Sequence, residues 1–503
     1  MRQLIGPIVP TWIGQARLTI PTGGRYHLAG LPTLQTTVLS KISLPHMRTY
    51  RIWCMNSILA VYSLMLVAPT DSHAQAFRFQ PQGARAAGQG NAFAAEANDP
   101  SAIHYNPAGL TQVEGIQSVW GFNAVGGSVR YKSPTGLDSR GDLHGSVSWP
   151  PPSNFYLSAN LGAMGASRLS SVTVGVGVTS PFGLNTRYPV DGPFNTAVTS
   201  VALPLINIKP TIAYKVNDYL SVGLSADIYT FASFLGEGHV EQKQISAGTF
   251  GIPAGDSIEV NGKGTGAGVT ASLLMTPLRN GSGHPVLSIG LVYRSQAVVP
   301  LNGSFLVNGA KVADASTDLV LPQIFTGAVA LWPIRTRESE WKVELDVEYV
   351  GWSLLRHLDV RLSNGARIPQ PQQFKNVPVI AIGTEYKWLH PHWLPDWEVA
   401  VRSGYTRTED PVPNQTFNPG GISLSSNMLS LGVGFLCQGA GRFLGLIPCS
   451  GDSAFWPKGI GVDLAYQEWF YDSKTVVGNL NPSVNGTYHA FVHLGTFSFR
   501  YLF

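Results

Sequence analysis

The chain has 503 residues, of which 44% are hydrophobic and only 13% are charged, with 55 Gly and 18 Tyr. Cytosolic globular proteins carry about 25% charged residues, so this composition argues against an ordinary cytosolic enzyme. Residues 1–76 hold six of the 34 basic and one of the 30 acidic residues, which leaves 28 basic and 29 acidic side chains in the remainder. That near-neutral balance gives no support for nucleic-acid binding, which needs a basic face.

The first recognisable element is an export signal within residues 48–76, "RTYRIWCMNSILAVYSLMLVAPTDSHAQA". Arg48 and Arg51 form its positively charged start, and residues 58–68 form its apolar centre. Small residues follow at Ala74 and Ala76, where signal peptidase could cleave. The alternative is a short buried helix. The pattern predicts an exported protein.

The residues before this signal resemble none of its parts. We therefore expect translation to start at Met47 or Met55, and residues 1–74 to be an upstream extension and signal peptide that the mature chain lacks.

Residues 75–115 form the next segment, which is rich in Ala and Gly and alternates too weakly for a strand. Asn106 precedes Pro107, which predicts a turn, and Ala108 and Gly109 permit close packing against a wall. If the following strands close into a wide barrel, a compact segment of this kind could plug its lumen. The alternative is a surface linker with an Asn-Pro turn.

A strand signal with a period of two dominates the rest of the chain. In "EWKVELDVEYV" (340–350), apolar side chains from Trp341 to Tyr349 alternate with Lys342, Glu344, Asp346 and Glu348. Successive side chains of a strand point to opposite faces. A soluble sandwich can alternate in the same way, but the aromatic residues at both ends of the apolar row favour a membrane barrel.

About fourteen such segments follow one another, an even number as bacterial barrels require. They lie near 116–126, 154–162, 169–179, 205–215, 219–231, 264–276, 286–296, 323–332, 340–351, 378–388, 396–407, 428–437, 459–470 and 489–503. We therefore predict an all-β fold, a transmembrane antiparallel barrel over 116–503, with 75–115 as an N-terminal hatch that plugs the lumen. Pro210 interrupts one segment and predicts a local break or bulge, because proline lacks a ladder donor.

The connections tend to alternate between short and long, as periplasmic turns and external loops do. The exception is 437–459, a long connection on the short side. It contains Cys437 and Cys449, the two cysteines left after the signal is removed, and we expect a disulfide between them in an exported protein. Neither a Cys-x-x-Cys motif nor a His/Cys cluster occurs, so we expect no metal site and no cofactor.

The chain ends in "FSFRYLF", which alternates and finishes on Phe503. In an exported barrel, this pattern is typical of a final strand whose terminal aromatic residue marks the chain for the outer-membrane assembly machinery. An ordinary edge strand could also end this way.

At residues 98–110, "NDPSAIHYNPAGL", the sequence resembles the hatch of the FadL/TodX family, the outer-membrane transporters of long-chain fatty acids and aromatic hydrocarbons. That family carries an Asn-Pro-Ala motif, here Asn106 to Ala108, after a Gly/Ala-rich run, here 88–97. Segments at 180–189, 206–223, 345–353, 379–388 and 403–419 resemble family segments in the same order.

The resemblance implies a function and an order of events. A hydrophobic small molecule would bind in an external groove, enter an internal pocket, wait for the hatch to move, and leave sideways into the outer membrane. The partners so implied are this substrate, outer-membrane lipid and lipopolysaccharide, and we expect a monomer.

The resemblance also implies residue roles. Cleavage after Ala74 would make Phe77 the third mature residue, which the family lodges in an internal pocket; Phe79 is a second candidate. The kinked third strand would be 169–179, where Gly175 and Gly177 would tolerate an inward kink. The lateral opening would continue through Pro181, Phe182 and Gly183. Alternatively, those two glycines simply suit a crowded barrel interior.

A fatty acid would need a cation near its carboxylate, and Arg294 and Arg402 face the lumen by alternation. Either could bind it, or each could pair with a lumen acid such as Glu344 or Asp346. An aromatic hydrocarbon needs no cation, so the substrate class stays open. The rival functions are a general porin and a structural barrel. We expect no enzyme, because no Gly-x-Ser-x-Gly elbow or nucleophile–base pairing is found.

Overall fold

The computed structural model describes residues 76–142, 153–231, 238–249, 251–421, 423–451 and 456–503. The predicted signal, start sites and cleavage after Ala74 lie outside these residues. Across the described ranges, no helix is both long enough and apolar enough to cross a membrane.

Fourteen antiparallel strands close into a barrel, as predicted. They are β1 (Ile116–Lys132), β2 (Ser153–Asn160), β3 (Val172–Thr179), β4 (Leu205–Lys215), β5 (Leu220–Phe231), β6 (Gly266–Arg279), β7 (Pro285–Arg294), β8 (Ile324–Arg335), β9 (Ser339–Val350), β10 (Val377–Trp388), β11 (Trp397–Thr408), β12 (Ser426–Gln438), β13 (Gly459–Tyr471) and β14 (Gly486–Leu502). The barrel closes where β14 pairs with β1, from Gln117 opposite Leu502 to Lys132 opposite Thr487.

The alternation along β9 has the predicted orientation. Leu345, Val347 and Tyr349 point outward and are 44–49% exposed, whereas Lys342 and Glu344 point inward and are at most 1% exposed. An apolar outer face and a polar interior are the arrangement of a barrel whose solvent outside is lipid.

Pro210 leaves a gap rather than a bulge. The pairing of β4 with β5 omits Lys209 and Pro210 and resumes at Thr211 without a change of register. The missing ladder donor of proline accounts for this local break.

The hatch segment lies inside the barrel. It contains two one-turn helices, α1 (Ala84–Ala87) and α2 (Ala102–Tyr105), and a 3₁₀ helix over Pro107–Gln112. Every residue from 81 to 97 is buried. The fold is therefore the predicted all-β barrel with an N-terminal hatch in its lumen.

Shorter elements lie in the connections. The additional strands are Asp138–Asp142, Leu184–Arg187, Ser200–Leu203, Val240–Ile245, Ser257–Lys263, Ala297–Val307, Ala310–Leu321, Val360–Leu362, Arg367–Ile368, Arg442–Phe443, Ile447–Pro448 and Lys474–Val476, and the 3₁₀ turns are Ser167–Leu169, Trp352–Leu354, Asn414–Thr416 and Pro482–Val484. Of these, Ser167–Leu169, Arg442–Phe443 and Ile447–Pro448 lie at the end of the barrel where the described connections are mostly short. Cys437 and Cys449 form a disulfide there.

One difference from the sequence prediction is the hairpin formed by Ala297–Val307 and Ala310–Leu321. We predicted no strand between the segments at 286–296 and 323–332. Asn308 and Gly309 turn the hairpin with φ values of 49° and 78°. Asn-Gly favours such positive φ angles, so the signal was present in the sequence.

Candidate functional site

An apolar cluster fills the barrel on the external side of the hatch, and we call it the inner cluster. Its buried members are Phe182, Leu203, Leu205, Tyr229, Phe231, Ala297, Val299, Leu301, Leu319, Leu321, Ile324, Val350, Trp352, Val377 and Val379. They come from barrel strands and from the hairpin at 297–321. A site with this lining suits an apolar ligand and offers few hydrogen bonds.

Phe77 packs against this cluster. Its ring centroid lies 4.9 Å from that of Trp352 and 6.0 Å from that of Phe182. Phe79 lies two residues further along the chain and donates its backbone N–H to the oxygen of Pro181 at 2.8 Å. Phe77 is therefore the aromatic side chain that the start of the hatch segment presents to the apolar site.

The N-terminal residues pair with the chain that follows β3. Arg78 and Phe182 form an antiparallel bridge. Gly183 donates its N–H to the oxygen of Phe77 at 2.9 Å. The structure thus joins two sets of predicted residues, the N-terminal aromatic residues and 181–183, into one two-stranded unit.

The chain leaves the wall after Thr179, not at the glycines. Pairing on both sides of β3 continues through Gly175 and Gly177 without a register shift. A Cβ on either glycine would lie 2.8 Å from the side chain of Ile103 in α2. The two glycines therefore make room for the hatch, and the inward turn begins at Ser180.

Strand β1 runs beside β2, which pairs with β3 next to this turn. Strand β1 pairs with β2 only up to Phe122, and it pairs again on that side from Ser128 with Asp138–Asp142. Among the described residues, 123–127 have no strand partner there. The external halves of β1, β2 and β3 therefore lie side by side next to the turn at Ser180.

Asn106 ties the hatch to itself and to the wall. Its Nδ2 donates to the carbonyl oxygens of Ala94 at 2.7 Å and of Leu273 at 3.2 Å. Its Oδ1 accepts a hydrogen bond from the backbone N–H of Ala108 at 3.1 Å. The same N–H also donates to Ser272 Oγ at 2.9 Å. Leu273 and Ser272 belong to β6, so a fully buried amide links two turns of the hatch to a barrel strand.

The rest of the predicted motif shapes this turn. Pro107 begins the 3₁₀ helix, where its missing N–H leaves no donor unsatisfied. A Cβ on Gly109 would lie 2.2 Å from the oxygen of Ala97, so only glycine fits there.

Wall glycines receive the hatch backbone, and the sequence analysis missed them. A Cβ built on any of these inward-facing residues would lie within 2.9 Å of a hatch backbone atom. They are Gly223, Gly290, Gly383, Gly404 and Gly432. The alternation along each strand predicts that these glycines point inward. It does not predict which glycines meet the hatch, because those contacts join residues far apart in sequence.

Buried ion pairs also hold the hatch. Arg85 pairs with Glu96 and, at 3.2 Å, with Glu385 of β10. Lys342 of β9 pairs with Glu96 and with Glu344, both at 2.6 Å. Burial alone would raise the pKa of Glu96, but Arg85 and Lys342 outweigh it and hold that pKa below its usual value. The hatch is thus fastened by charge-assisted contacts that require every partner.

We expect Lys342→Met to loosen the hatch, because it leaves the buried carboxylate of Glu344 without its cation. Breaking a buried pair costs about 3 kcal/mol or more, which corresponds to roughly hundredfold faster local amide exchange. Hydrogen exchange at Ala95 and Glu96, whose N–H groups donate to Glu344, measures this. The control is Lys387→Met, at a more exposed lysine. Equal exchange in both variants would contradict the anchoring role.

The two predicted arginines lie in different surroundings. Arg402 pairs with Glu385 at 2.6 Å and with Asp463 at 2.8 Å, and it is buried beneath the hatch. Arg294 is also buried, but within the described residues it has no carboxylate within ion-pair distance, and its Nη2 donates to the oxygen of His104 at 3.1 Å.

Arg294 lines a small polar cavity of about 30 Å³, whose wall includes Ile324 of the inner cluster. Arg78 lies there in a bidentate pair with Glu348, at 2.6 and 2.9 Å. Burial lowers the pKa of His104 well below its ordinary value, and the nearby Arg294 lowers it further. Its ring is therefore neutral, and Arg294 is the cation of this cavity that no described carboxylate neutralises at ion-pair distance.

Two further apolar sites lie on the external side. A groove of about 130 Å³ between the external hairpins includes Leu301 and Leu358, which also belong to or border the inner cluster. The second site, the outer cluster, consists of Val129, Tyr131, Tyr188, Phe194, Val198, Val201, Val412, Phe417, Leu424, Val476, Val484 and Tyr488. Leu184 and Phe374 pack against both clusters, so apolar contacts run from the outer surface to Phe77.

Comparisons with known proteins agree with this architecture. A sequence model of the family described as "Outer membrane protein transport protein (OMPP1/FadL/TodX)" matches residues 65–439. The long-chain fatty acid transport protein of Escherichia coli K12 is 24% identical over 388 residues, which cover 69% of this chain and 82% of that protein.

Solved structures share the fold. A FadL homologue from Pseudomonas aeruginosa superimposes with a TM-score of 0.64 at 16% identity, over 85% of this chain and 99% of that one. The toluene transporter TbuX of Ralstonia pickettii gives a TM-score of 0.59 at 16% identity, over 84% of this chain and 99% of that one.

Proposed function

This chain belongs to the OMPP1/FadL/TodX family of outer-membrane transport proteins and carries hydrophobic small molecules across the bacterial outer membrane, and we propose the substrate class, route and gate that follow. The substrates are long-chain fatty acids or aromatic hydrocarbons. They diffuse down their concentration gradient through the inner cluster and leave sideways.

The observation that carries this proposal is the position of the inner cluster above a filled lumen. Residues 81–97 are all buried and occupy the passage beneath it. A general porin needs an open, water-filled lumen, and the hatch removes that. An apolar molecule that reaches Phe77 therefore needs an exit other than the barrel axis.

The route begins at the external groove beside Leu301 and Leu358. Leu184 and Phe374 contact both the outer and the inner cluster. The substrate can therefore move between the two clusters while it stays in contact with apolar side chains. Each buried CH₂ group gains about 0.8 kcal/mol relative to water, which is enough to concentrate a dilute apolar molecule.

The gate is the unit formed by 77–79 and 181–183. A substrate that displaces Phe77 also breaks the backbone bonds to Pro181 and Gly183. The chain after β3 is then free to move, next to the external ends of β2 and β3. The gap that opens beside β2 and β3 leads into the outer leaflet, where an apolar product is stable.

Arg294 is the residue we propose for a substrate carboxylate, in preference to Arg402, whose carboxylate partners already satisfy it. A fatty acid could place its chain in the inner cluster and its head in the polar cavity beside Ile324. An aromatic hydrocarbon would use the cluster alone.

We expect Arg294→Met to lower the uptake of labelled oleate and to leave the uptake of labelled toluene unchanged. A charge-assisted hydrogen bond contributes about 1.5–3 kcal/mol, so the loss of oleate uptake at low concentration should reach about tenfold. The measurement uses cells of an outer-membrane host that lacks its own hydrophobic-compound transporter and expresses residues 47–503.

Arg294→Lys, which keeps the charge, is the matched control and should retain most of the oleate uptake. Equal losses of oleate and toluene in the Met variant would assign Arg294 a structural role. If neither compound enters faster than with an empty vector while the barrel is folded, both substrate classes are excluded.

The remaining partners follow from the barrel itself. Strand β14 closes on β1 and leaves no free sheet edge there, which supports a monomer. Phe503 donates its N–H to the oxygen of Ile116 at 2.8 Å, at the seam of the barrel, where the outer-membrane assembly machinery would recognise the last strand. The external loops face lipopolysaccharide. We assign no enzymatic activity.

A further inference from the structure

A disulfide-closed hairpin interrupts the short-turn end of the barrel. Its two arms are Arg442–Phe443 and Ile447–Pro448, paired antiparallel. The disulfide between Cys437 and Cys449 closes it at the base. The other described connections at this end contain no paired strands, so this one is built for something beyond a turn.

The hairpin lies over the outer wall. Cys437 shares the outward face of β12 with Leu431 and Val433, yet it is 0% exposed, whereas those two are 66% and 37% exposed. Outward residues at the same level of the neighbouring strands are covered too: Val399 is 7% and Ile460 is 5% exposed. Another part of the chain therefore covers the outer wall near Cys437, whereas the wall near Leu431 and Val433 is uncovered.

Phe443 shows that the hairpin is what covers the wall. Its ring stacks on the outward-facing Trp397, with centroids 6.0 Å apart and an angle of 26° between the planes. A Cβ on Gly441 would lie 2.6 Å from the sulfur of Cys437, so the start of the hairpin is held directly against the strand. The hairpin thus packs on the face that the barrel presents to lipid.

The tip of the hairpin is apolar and uncovered. Leu444 and Leu446 are each 78% exposed, and Ile447 is 45% exposed. No charged residue occurs between Phe443 and Gly451. Trp456, which is 40% exposed, donates its indole N–H to the oxygen of Pro448 at 3.0 Å. An apolar tip with an aromatic residue at its base matches the pattern of segments that lie in a membrane interface.

We propose that this hairpin is embedded in the periplasmic leaflet of the outer membrane, with phospholipid acyl chains as the partner of Leu444, Leu446 and Ile447. The argument is continuity: the tip extends the lipid-facing surface of β12, and the disulfide holds it there. Burying exposed leucine side chains in hydrocarbon is favourable, so the tip would fix the depth of the barrel in the bilayer. A periplasmic protein bound to the same tip is the competing outcome.

The test places a fluorophore at the tip. Leu446→Trp is reconstituted into phosphatidylcholine vesicles with or without bromine on the acyl chains, and the emission of the unsubstituted protein is subtracted. We expect most of the added emission to be lost in brominated vesicles and aqueous iodide to leave it unchanged. Leu480→Trp is the matched control, at an external position that is 68% exposed, and should respond to iodide alone.

A Cys437→Ser, Cys449→Ser form of Leu446→Trp extends the test. Releasing the hairpin should increase iodide quenching at the tip. Heat-dependent gel mobility verifies that each barrel is folded. Iodide quenching without bromolipid quenching in the disulfide-bonded protein would overturn the proposal, since the tip would then lie in water, available to a protein partner.

Discussion

Gly223→Val is expected to open the lumen. A Cβ at this inward position of β5 would lie 2.3 Å from the backbone nitrogen of Ala108 and 2.5 Å from the carbonyl carbon of Pro107. Backbone atoms cannot rotate away, so the hatch has to move. Overpacking costs up to about 3 kcal/mol even where neighbours adjust, which shifts the balance between seated and displaced hatch by roughly hundredfold or more.

Two measurements detect that change: ionic conductance in planar bilayers, and sensitivity of cells to large hydrophilic antibiotics. Both should rise sharply in Gly223→Val. Gly327→Val is the matched control, because a Cβ on Gly327 meets only Leu291 Cδ2 at 3.9 Å. If Gly223→Val folds and conducts no more than the control, the hatch is not what closes the lumen.

Locking the N-terminal residues to the chain after β3 is expected to stop transport. Arg78 and Phe182 face each other in an antiparallel bridge, and cysteines at such positions lie within reach of a disulfide. Oxidised Arg78→Cys, Phe182→Cys protein should lose nearly all uptake, because the gate can no longer separate. A reductant should restore it.

The single variants Arg78→Cys and Phe182→Cys separate the lock from the loss of the native side chains, since neither can form the bridge. Reductant alone should leave the unsubstituted protein active although it opens Cys437–Cys449. Undiminished uptake in the locked form would show that substrate passes without movement of this unit.

The strands could be predicted from the sequence because alternation is local. Each strand of the barrel overlaps a predicted segment, and the inward position of Lys342 and the outward position of Leu345 follow from a period of two. Asn106 was marked by the proline that follows it and Phe77 by the family resemblance, while composition and periodicity alone left a surface linker equally possible.

The other features of the site depend on contacts between residues that are distant in sequence, and could not be predicted. Nothing local tells that Gly175 and Gly177 accommodate Ile103, or that the inward turn waits until Ser180. Arg294 and Arg402 look alike in the alternation, and only the packed lumen gives the second its carboxylate partners. Trp352 lies in the family-like segment 345–353, but nothing local predicts that it contacts Phe77. The pairing of 77–79 with 181–183 joins segments about a hundred residues apart.

Photoaffinity mapping tests the central claim most directly. Cells expressing the protein take up a fatty acid that carries a diazirine at the end of its chain, light fixes it, and mass spectrometry locates the adducts. Lateral exit predicts labels in the inner cluster, at residues such as Phe182 and Trp352, and at outward residues beside the gap, such as Phe122 and Leu157. Labels on the hatch at 84–97 and on the periplasmic turns, with none beside the gap, would mean that substrate follows the barrel axis and would contradict the account.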